Sequence, residues 1–184
     1  MVRKLKHHEQ KLLKKVNFHN WKSTDNVREN KILRKYFIQD RTDYSKYQEL
    51  CRRIQKSVHL LRNMESDDED RIRMTEILMK KLFNMGVCKD EQSLETIEKI
   101  PASAFCRRRL AVMIVRLRFC QHLQEAVTYI EQGHFRIGPD VVNNPAMHVT
   151  RDQEDNIRWA EGSAIKRTIK EFNDELDDYE LLGN

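Results

Sequence analysis

Apolar positions along the first half of the chain recur three and four residues apart, and past residue 133 they shorten to alternation. Tyr47, Leu50, Cys51, Ile54, Val58 and Leu61 form one unbroken stripe, which predicts a long helix capped by Thr42 or Asp43. The acidic run ESDDED at 65–70 interrupts the pattern. It reads either as a loop or as the start of the next helix, where carboxylates suit the positive end of the dipole. Met74, Ile77, Leu78, Leu82 and Met85 make a second stripe, and Gly86 is placed to end it in a left-handed conformation. Two such stripes predict an antiparallel helical pair with the methionines as core.

Residues 93–100 allow a short helical turn, closed by Pro101. From Ser103, read as a cap, the run SAFCRRRLAVMIVRLRF predicts one helix that buries Leu110, Met113, Ile114 and Leu117. A second helix, QHLQEAVTYIEQ, turns Leu123, Ala126, Val127 and Ile130 to one side and stops at Gly133. HFRI alternates as a strand does, so Phe135 and Ile137 face inward while His134 and Arg136 share the other face. Gly138-Pro139-Asp140 turns the chain. Short strands are predicted at 147–150 and 157–160, and IKRTIKEF predicts a last helix. The class is α+β: a helical region, then two helices packed on a small hairpin or sheet.

With 184 residues the chain suits one domain, or a small domain with a helical extension. Nothing approaches the roughly 18 apolar residues of a membrane span, so no membrane partner is expected. The opening MVRKLKHHEQKLLKK lacks the apolar core of a secretory leader. Cys51, Cys88, Cys106 and Cys120 are widely spaced and form no CxxC, which fits a reduced compartment and thiols used as small core residues. No Cys/His pair has zinc-ligand spacing, and no metal or cofactor is expected.

Charge sharpens the picture. The formal balance is +5, but the acidic tail, residues 171–184, holds six carboxylates and no base, so residues 1–170 carry +11. A body of that sign suits a polyanion. Residues 3–16 set six bases against Glu9, with Leu5, Leu12, Leu13 and Val16 as a thin apolar stripe. That pattern reads as a basic segment that orders on a partner, with Phe18 and Trp21 available as anchors. The chain therefore divides into a basic segment (1–21), a helical region (22–100), a second module (101–170) and an acidic tail (171–184).

Arg107, Arg108 and Arg109 fall in the first turns of the helix read from Ser103, with Arg116 and Arg118 further along it. Five guanidiniums on one short helix repel one another unless an anion is present, and their planar forks match phosphate oxygens in pairs. The helix start adds free N–H groups. Gln121, His122, Gln132, His134 and Arg136 follow on the elements predicted to pack beside it. Lys4, Lys6, Lys14 and Lys15 extend the set at the N-terminus. The combination points to a phosphate-bearing polyanion such as a nucleic acid. Residues 1–100 carry no nucleophile–base set, no Gly-rich phosphate loop and no HExxH, so an enzyme is not expected.

Residues 107–152 resemble the alpha-L RNA-binding motif of the ribosomal-protein-four family: RRL at 108–110, RL at 116–117, Glu125-Ala126 near the second helix start, then Gly133, an alternating strand and a turn. VVNNPAMHV is similar to the eukaryotic ribosomal continuation of that hairpin. Together with the basic N-terminus, FCRRRL and AVTYIEQGHFRIGPD, the chain resembles the branch of the family found in the U3 small nucleolar ribonucleoprotein. The chain departs from the motif at Ala111, where a proline is expected, and at His122-Leu123, where many members carry Ser-Arg. The resemblance implies an alpha-L module of two helices on a hairpin, in a nucleolar protein of the small-subunit processome. It implies binding to U3 small nucleolar RNA, pairing of that RNA with pre-ribosomal RNA during 18S maturation, and docking on the M-phase phosphoprotein scaffold. The alternative is a structural small-subunit ribosomal protein bound to ribosomal RNA.

Overall fold

Tyr44, Cys51, Val58 and Leu61 lie three or seven residues apart and turn one buried line along a 22-residue helix, Arg41–Arg62. A computed structural model of the protein describes residues 3–15, 27–88 and 94–175. The chain separates into two compact units, Met1–Lys35 and Tyr36–Asn184. The first contains helices α1 (His7–Lys15) and α2 (Val27–Lys35). The second contains α3 (Arg41–Arg62), α4 (Glu69–Asn84), α5 (Leu94–Glu98), α6 (Ala102–Cys106), α7 (Leu110–Arg116) and α8 (Leu123–Glu131). Strands β1 (Phe135–Ile137) and β2 (Asp140–Val141), helix α9 (Arg151–Glu154), strand β3 (Ile157–Trp159) and helix α10 (Ala164–Phe172) complete it.

The helical region follows the periodicity with shifts. Helix α3 starts earlier than Thr42 or Asp43, with Asp40 at its N-cap. It packs chiefly on α5 and α6 and only lightly on α4. Asp68 of the acidic run accepts a hydrogen bond from Asp70 N and caps α4, and Glu69 and Asp70 occupy the first turn. ESDDED is thus both readings in turn: a turn over residues 65–67, then the cap and first residues of α4. In α4 only Leu82 of the predicted stripe is buried, while Met74 and Ile77 are 57% and 54% exposed. Gly86 takes φ +68° as its position required.

The single helix predicted from Ser103 is two helices. Pro101 sits at the N-cap of α6, and residues 107–109 separate α6 from α7. Tertiary pairing overrides propensity here. Arg109 has extended torsions (φ −67°, ψ 143°) and bridges His148. Leu110 N donates to Met147 O at 2.8 Å, and Val149 N donates to Arg108 O at 2.8 Å. The segment predicted as a strand at 147–150 spends itself on that bridge, and Thr150 then caps α9.

Three strands form one antiparallel sheet in the order β2-β1-β3. A two-residue Gly138-Pro139 loop joins β1 to β2, with Gly138 at φ +62°. Helices α7 and α8 pack on each other and on the inner face of the sheet. Leu110, Met113, Ile114, Ala126, Val127, Ile130, Phe135, Ile137, Val149 and Ile157 form one closed core. Phe135 stacks on Trp159 with ring centroids 4.4 Å apart. The four thiols are free and buried, and burial pushes those of Cys106 and Cys120 up to about 11. They are core side chains.

Candidate nucleic-acid interface

The three consecutive arginines between α6 and α7 have three different fates. Arg107 is exposed, with Nε donating to Ser103 O at 3.3 Å. Arg108 is only 5% exposed. Its Nε donates to Val149 O at 3.0 Å and its Nη1 to Glu154 at 2.7 Å. Gly86 lies directly against it: a Cβ there would stand 2.6 Å from Arg108 Cζ and Nε. Arg109 is 3% exposed, and its Nη1 donates to Asp43 at 3.2 Å and to the Tyr47 hydroxyl at 3.1 Å. Tyr47 in turn stacks on Phe105. A buried guanidinium must be paired, and each of these two holds a carboxylate, although Nη2 of Arg108 is buried without a hydrogen-bond partner. The expectation that Arg108 and Arg109 face RNA is therefore corrected. They join the helical region to the sheet module.

Two further side chains, Arg151 and His148, bind the end of α4, and neither was singled out from the sequence. Arg151 donates from Nε to Phe83 O at 2.8 Å and from Nη2 to Cys88 O at 2.7 Å, and its guanidinium lies over the Phe83 ring at 3.8 Å. His148 Nε2 donates to Met85 O at 2.9 Å. These acceptors are carbonyls at or just past the C-terminal end of α4, where the helix dipole is negative, and Phe83 O also accepts from Gly86 N at 2.8 Å. Burial, and secondarily the charge of Arg108, holds the His148 pKa below its ordinary value, against the opposing hydrogen bond to Met85. Gly86 marks that helix end in the sequence, so a search for cations nearby in space had a starting point but no way to find residues 148 and 151.

The turn between α7 and α8 carries the open part of the basic set. Arg116, Arg118, Gln121 and His122 are all exposed there. Among the described residues no carboxylate pairs with Arg116 or Arg118. Arg118 adopts φ +65°, a strained conformation for a residue with a Cβ. The strain is held by Phe119, which packs edge-on against both Phe135 (5.8 Å) and Trp159 (5.7 Å). His122 N donates to the Glu125 side chain, which starts α8.

On the sheet, strand alternation sorts the side chains as expected. Phe135 and Ile137 are buried and Arg136 turns to the other face, while His134 lies just before the strand with its ring edge-on to Tyr129 of α8 at 6.0 Å. His134 is committed at both ring nitrogens, to Ser163 Oγ at 3.0 Å and to Gln132 Oε1 at 3.1 Å. Since Gln132 Oε1 only accepts, His134 Nε2 carries the proton and Nδ1 accepts from Ser163. Arg136 Nη2 pairs with Glu161 at 2.9 Å. Directly opposite Arg136 on β3 stands the exposed Arg158, on the same face. Sequence reasoning passed it over, although the alternation Ile157-Arg158-Trp159 carries the signal.

In the N-terminal unit, Lys4, Lys6 and Lys14 are exposed, as are Leu12 and Leu13 of the thin apolar stripe, and Lys15 closes α1. Arg3 pairs with Glu9 at 2.6 Å, and Lys6 N donates to Glu9 at 2.9 Å. Phe18, Trp21 and the end of the acidic tail lie outside the described residues. Among the described residues no group of His, Cys, Asp and Glu is arranged to hold a metal ion, and no helix is long and apolar enough to cross a membrane.

Comparison with known proteins matches this architecture. The family model described as Ribosomal protein S4/S9 N-terminal domain matches residues 4–107, and the S4 domain model matches residues 108–155. The chain is 48% identical over 182 residues to the U3 small nucleolar ribonucleoprotein protein IMP3 of Homo sapiens, which covers 98% of this chain and 99% of the relative. Against the protein of that name in Saccharomyces cerevisiae it is 43% identical, over 98% of this chain and 100% of the relative. The small ribosomal subunit protein uS4 of Methanocella arvoryzae is 23% identical over 81% of this chain and 75% of its own length. With both halves matched by ribosomal S4 models and the whole length by these relatives, the chain belongs to the IMP3 family of U3 small nucleolar ribonucleoprotein proteins.

Proposed function

We propose that this chain is a non-enzymatic RNA-binding component of the U3 small nucleolar ribonucleoprotein. In that reading it holds U3 RNA ready to pair with pre-ribosomal RNA during 18S maturation in the nucleolar small-subunit processome. The observation that carries it is the full-length identity to the U3 ribonucleoprotein relatives, against a weaker and shorter likeness to ribosomal uS4. That difference favours the processome over the ribosomal alternative.

In this reading residues 101–170 are the alpha-L RNA-binding module, 1–21 a basic arm, 22–100 a helical region and 171–184 an acidic tail. Arg107, Arg116, Arg118, Gln121 and His122 supply the open contacts on the module, and Arg136 adds one from the outer face of the sheet. Gln132 and His134, bonded to each other, complete the set. Lys4, Lys6, Lys14 and Lys15 add phosphate contacts from the arm. The M-phase phosphoprotein scaffold is the proposed protein partner. Two RNA strands repel each other, and a basic surface that neutralises phosphates of one strand lowers the cost of bringing in the second.

Crosslinking the tagged protein in cells and sequencing the bound RNA tests the proposal. U3 RNA and pre-ribosomal RNA are the expected species. Recovery of mature 18S RNA alone, in mature small subunits, would replace the processome reading by the ribosomal one.

A further inference from the structure

The outer face of the sheet opposes two arginines. Antiparallel register sets Arg136 of β1 directly across from Arg158 of β3, so both guanidiniums leave the same face. Like charges so placed repel unless something negative lies between or above them. The fold supplies one carboxylate. Glu161, 72% exposed, reaches Arg136 Nη2 at 2.9 Å, while Arg158 has no carboxylate partner among the described residues.

The pairing is also half complete. In a guanidinium, Nε–H and one terminal N–H point the same way and together grip a two-oxygen acceptor. Glu161 takes Nη2 with a single oxygen, and Arg136 Nε is buried with no acceptor at all. Across the sheet from Arg136, on the β2 side, stands the exposed Val141. The face thus offers two cations, one exposed carboxylate and an apolar neighbour.

We propose that Arg136 and Arg158 form a phosphodiester-binding fork for single-stranded RNA, and that Glu161 is its built-in competitor. The RNA phosphate displaces the Glu161 carboxylate, takes Nη2 of Arg136 with a non-bridging oxygen, and neutralises Arg158. Val141 gives a sugar or base an apolar surface. Glu161 keeps the fork closed to weak anions and opens it to a strand held at several other phosphates. The inference rests on the RNA-binding reading above and assigns to it one subsite and one regulator.

The test is binding of a short fluorescein-labelled single-stranded RNA to the full-length protein by anisotropy, across a salt series. Arg158→Ala is expected to weaken binding and to lower the salt slope by roughly 0.7. Glu161→Gln is expected to tighten it roughly two- to five-fold, the equivalent of one exposed ion pair. Asp140→Asn, on β2, removes the same charge away from the fork and is expected to change little. Equal gains from Glu161→Gln and Asp140→Asn would overturn the competitor role. Unchanged affinity in Arg158→Ala, with Arg116→Ala still weakening binding, would overturn the fork and leave RNA binding standing. A wild-type protein that does not bind the RNA would overturn both readings. Displacement of the RNA by inorganic phosphate at matched ionic strength, or a Glu161→Gln gain seen only with a phosphoserine peptide, would overturn the RNA assignment.

Discussion

Arg108 and Arg118 are ten positions apart, carry the same chemistry and do opposite things. Arg108 lies under Gly86, bonded to Val149 O and Glu154. Arg108→Ala leaves a half-buried carboxylate unpartnered and a void beside the end of α4, so stability should fall by about 3–5 kcal/mol in urea denaturation. Any loss of RNA binding in that variant should track its unfolded fraction. Arg118→Gly should do the reverse. Glycine relieves the strain at φ +65°, so stability should hold or rise by up to about 1 kcal/mol while RNA affinity falls. Replacing all of Arg107, Arg108 and Arg109 at once reports on folding, not on RNA. His148 adds a pH dependence of the same origin. Its folded pKa lies below the ordinary 6.5, because a charged ring there would be desolvated beside Arg108. The unfolded state then binds the proton more readily. The stability contributed by neutral His148 is fully present above pH about 6.5 and is lost as pH falls through the folded value. Melting temperature should drop between pH about 7.5 and about 5.5, and His148→Gln, which keeps a donor for Met85 O, should flatten that slope.

At the scale of elements, the sheet is where pattern and structure agree most closely. Strand β1 needs only its period of two to place Phe135 and Ile137 inward and Arg136 outward. Ile137→Ala should cost about 2–5 kcal/mol, since Ile137 belongs to the closed core. Arg136→Ala should cost much less, because its partner Glu161 stays hydrated, and should weaken RNA binding instead. Chemical denaturation and RNA titration of both variants check the assignment, and the opposite pattern would reverse the faces. Helix α4 shows the limit of periodicity. Its stripe predicted a helix correctly but not which part of it is covered: Met74 and Ile77 stay exposed while Leu82 is buried. The break between α6 and α7 was illegible for a different reason. Residues 103–119 carry a helical pattern, and only pairing with residues 147–149 pulls 107–109 out of the helix.

At the scale of the molecule, the basic arm belongs to a compact unit separate from the one that holds the sheet. Helix α1 has nine residues and exposes Leu12 and Leu13, too little buried surface to anchor it by itself. Deleting residues 1–16 should therefore leave the melting temperature nearly unchanged while incorporation into U3 particles falls. A large drop in melting temperature would make the segment part of the fold. The sequence by itself determined the order and type of most elements, the left-handed Gly86, the helix stop at Gly133, the turn at Gly138, the two faces of β1 and the basic character of the body. All of these rest on local sterics, on periodicity or on composition, which a linear string carries. Only the tertiary structure decided which guanidiniums meet water. Arg109 is claimed by Asp43, 66 residues earlier, and Arg108 by Glu154, 46 residues later. A charge is buried or free according to whether a distant opposite charge arrives beside it, and no neighbour in sequence announces that arrival.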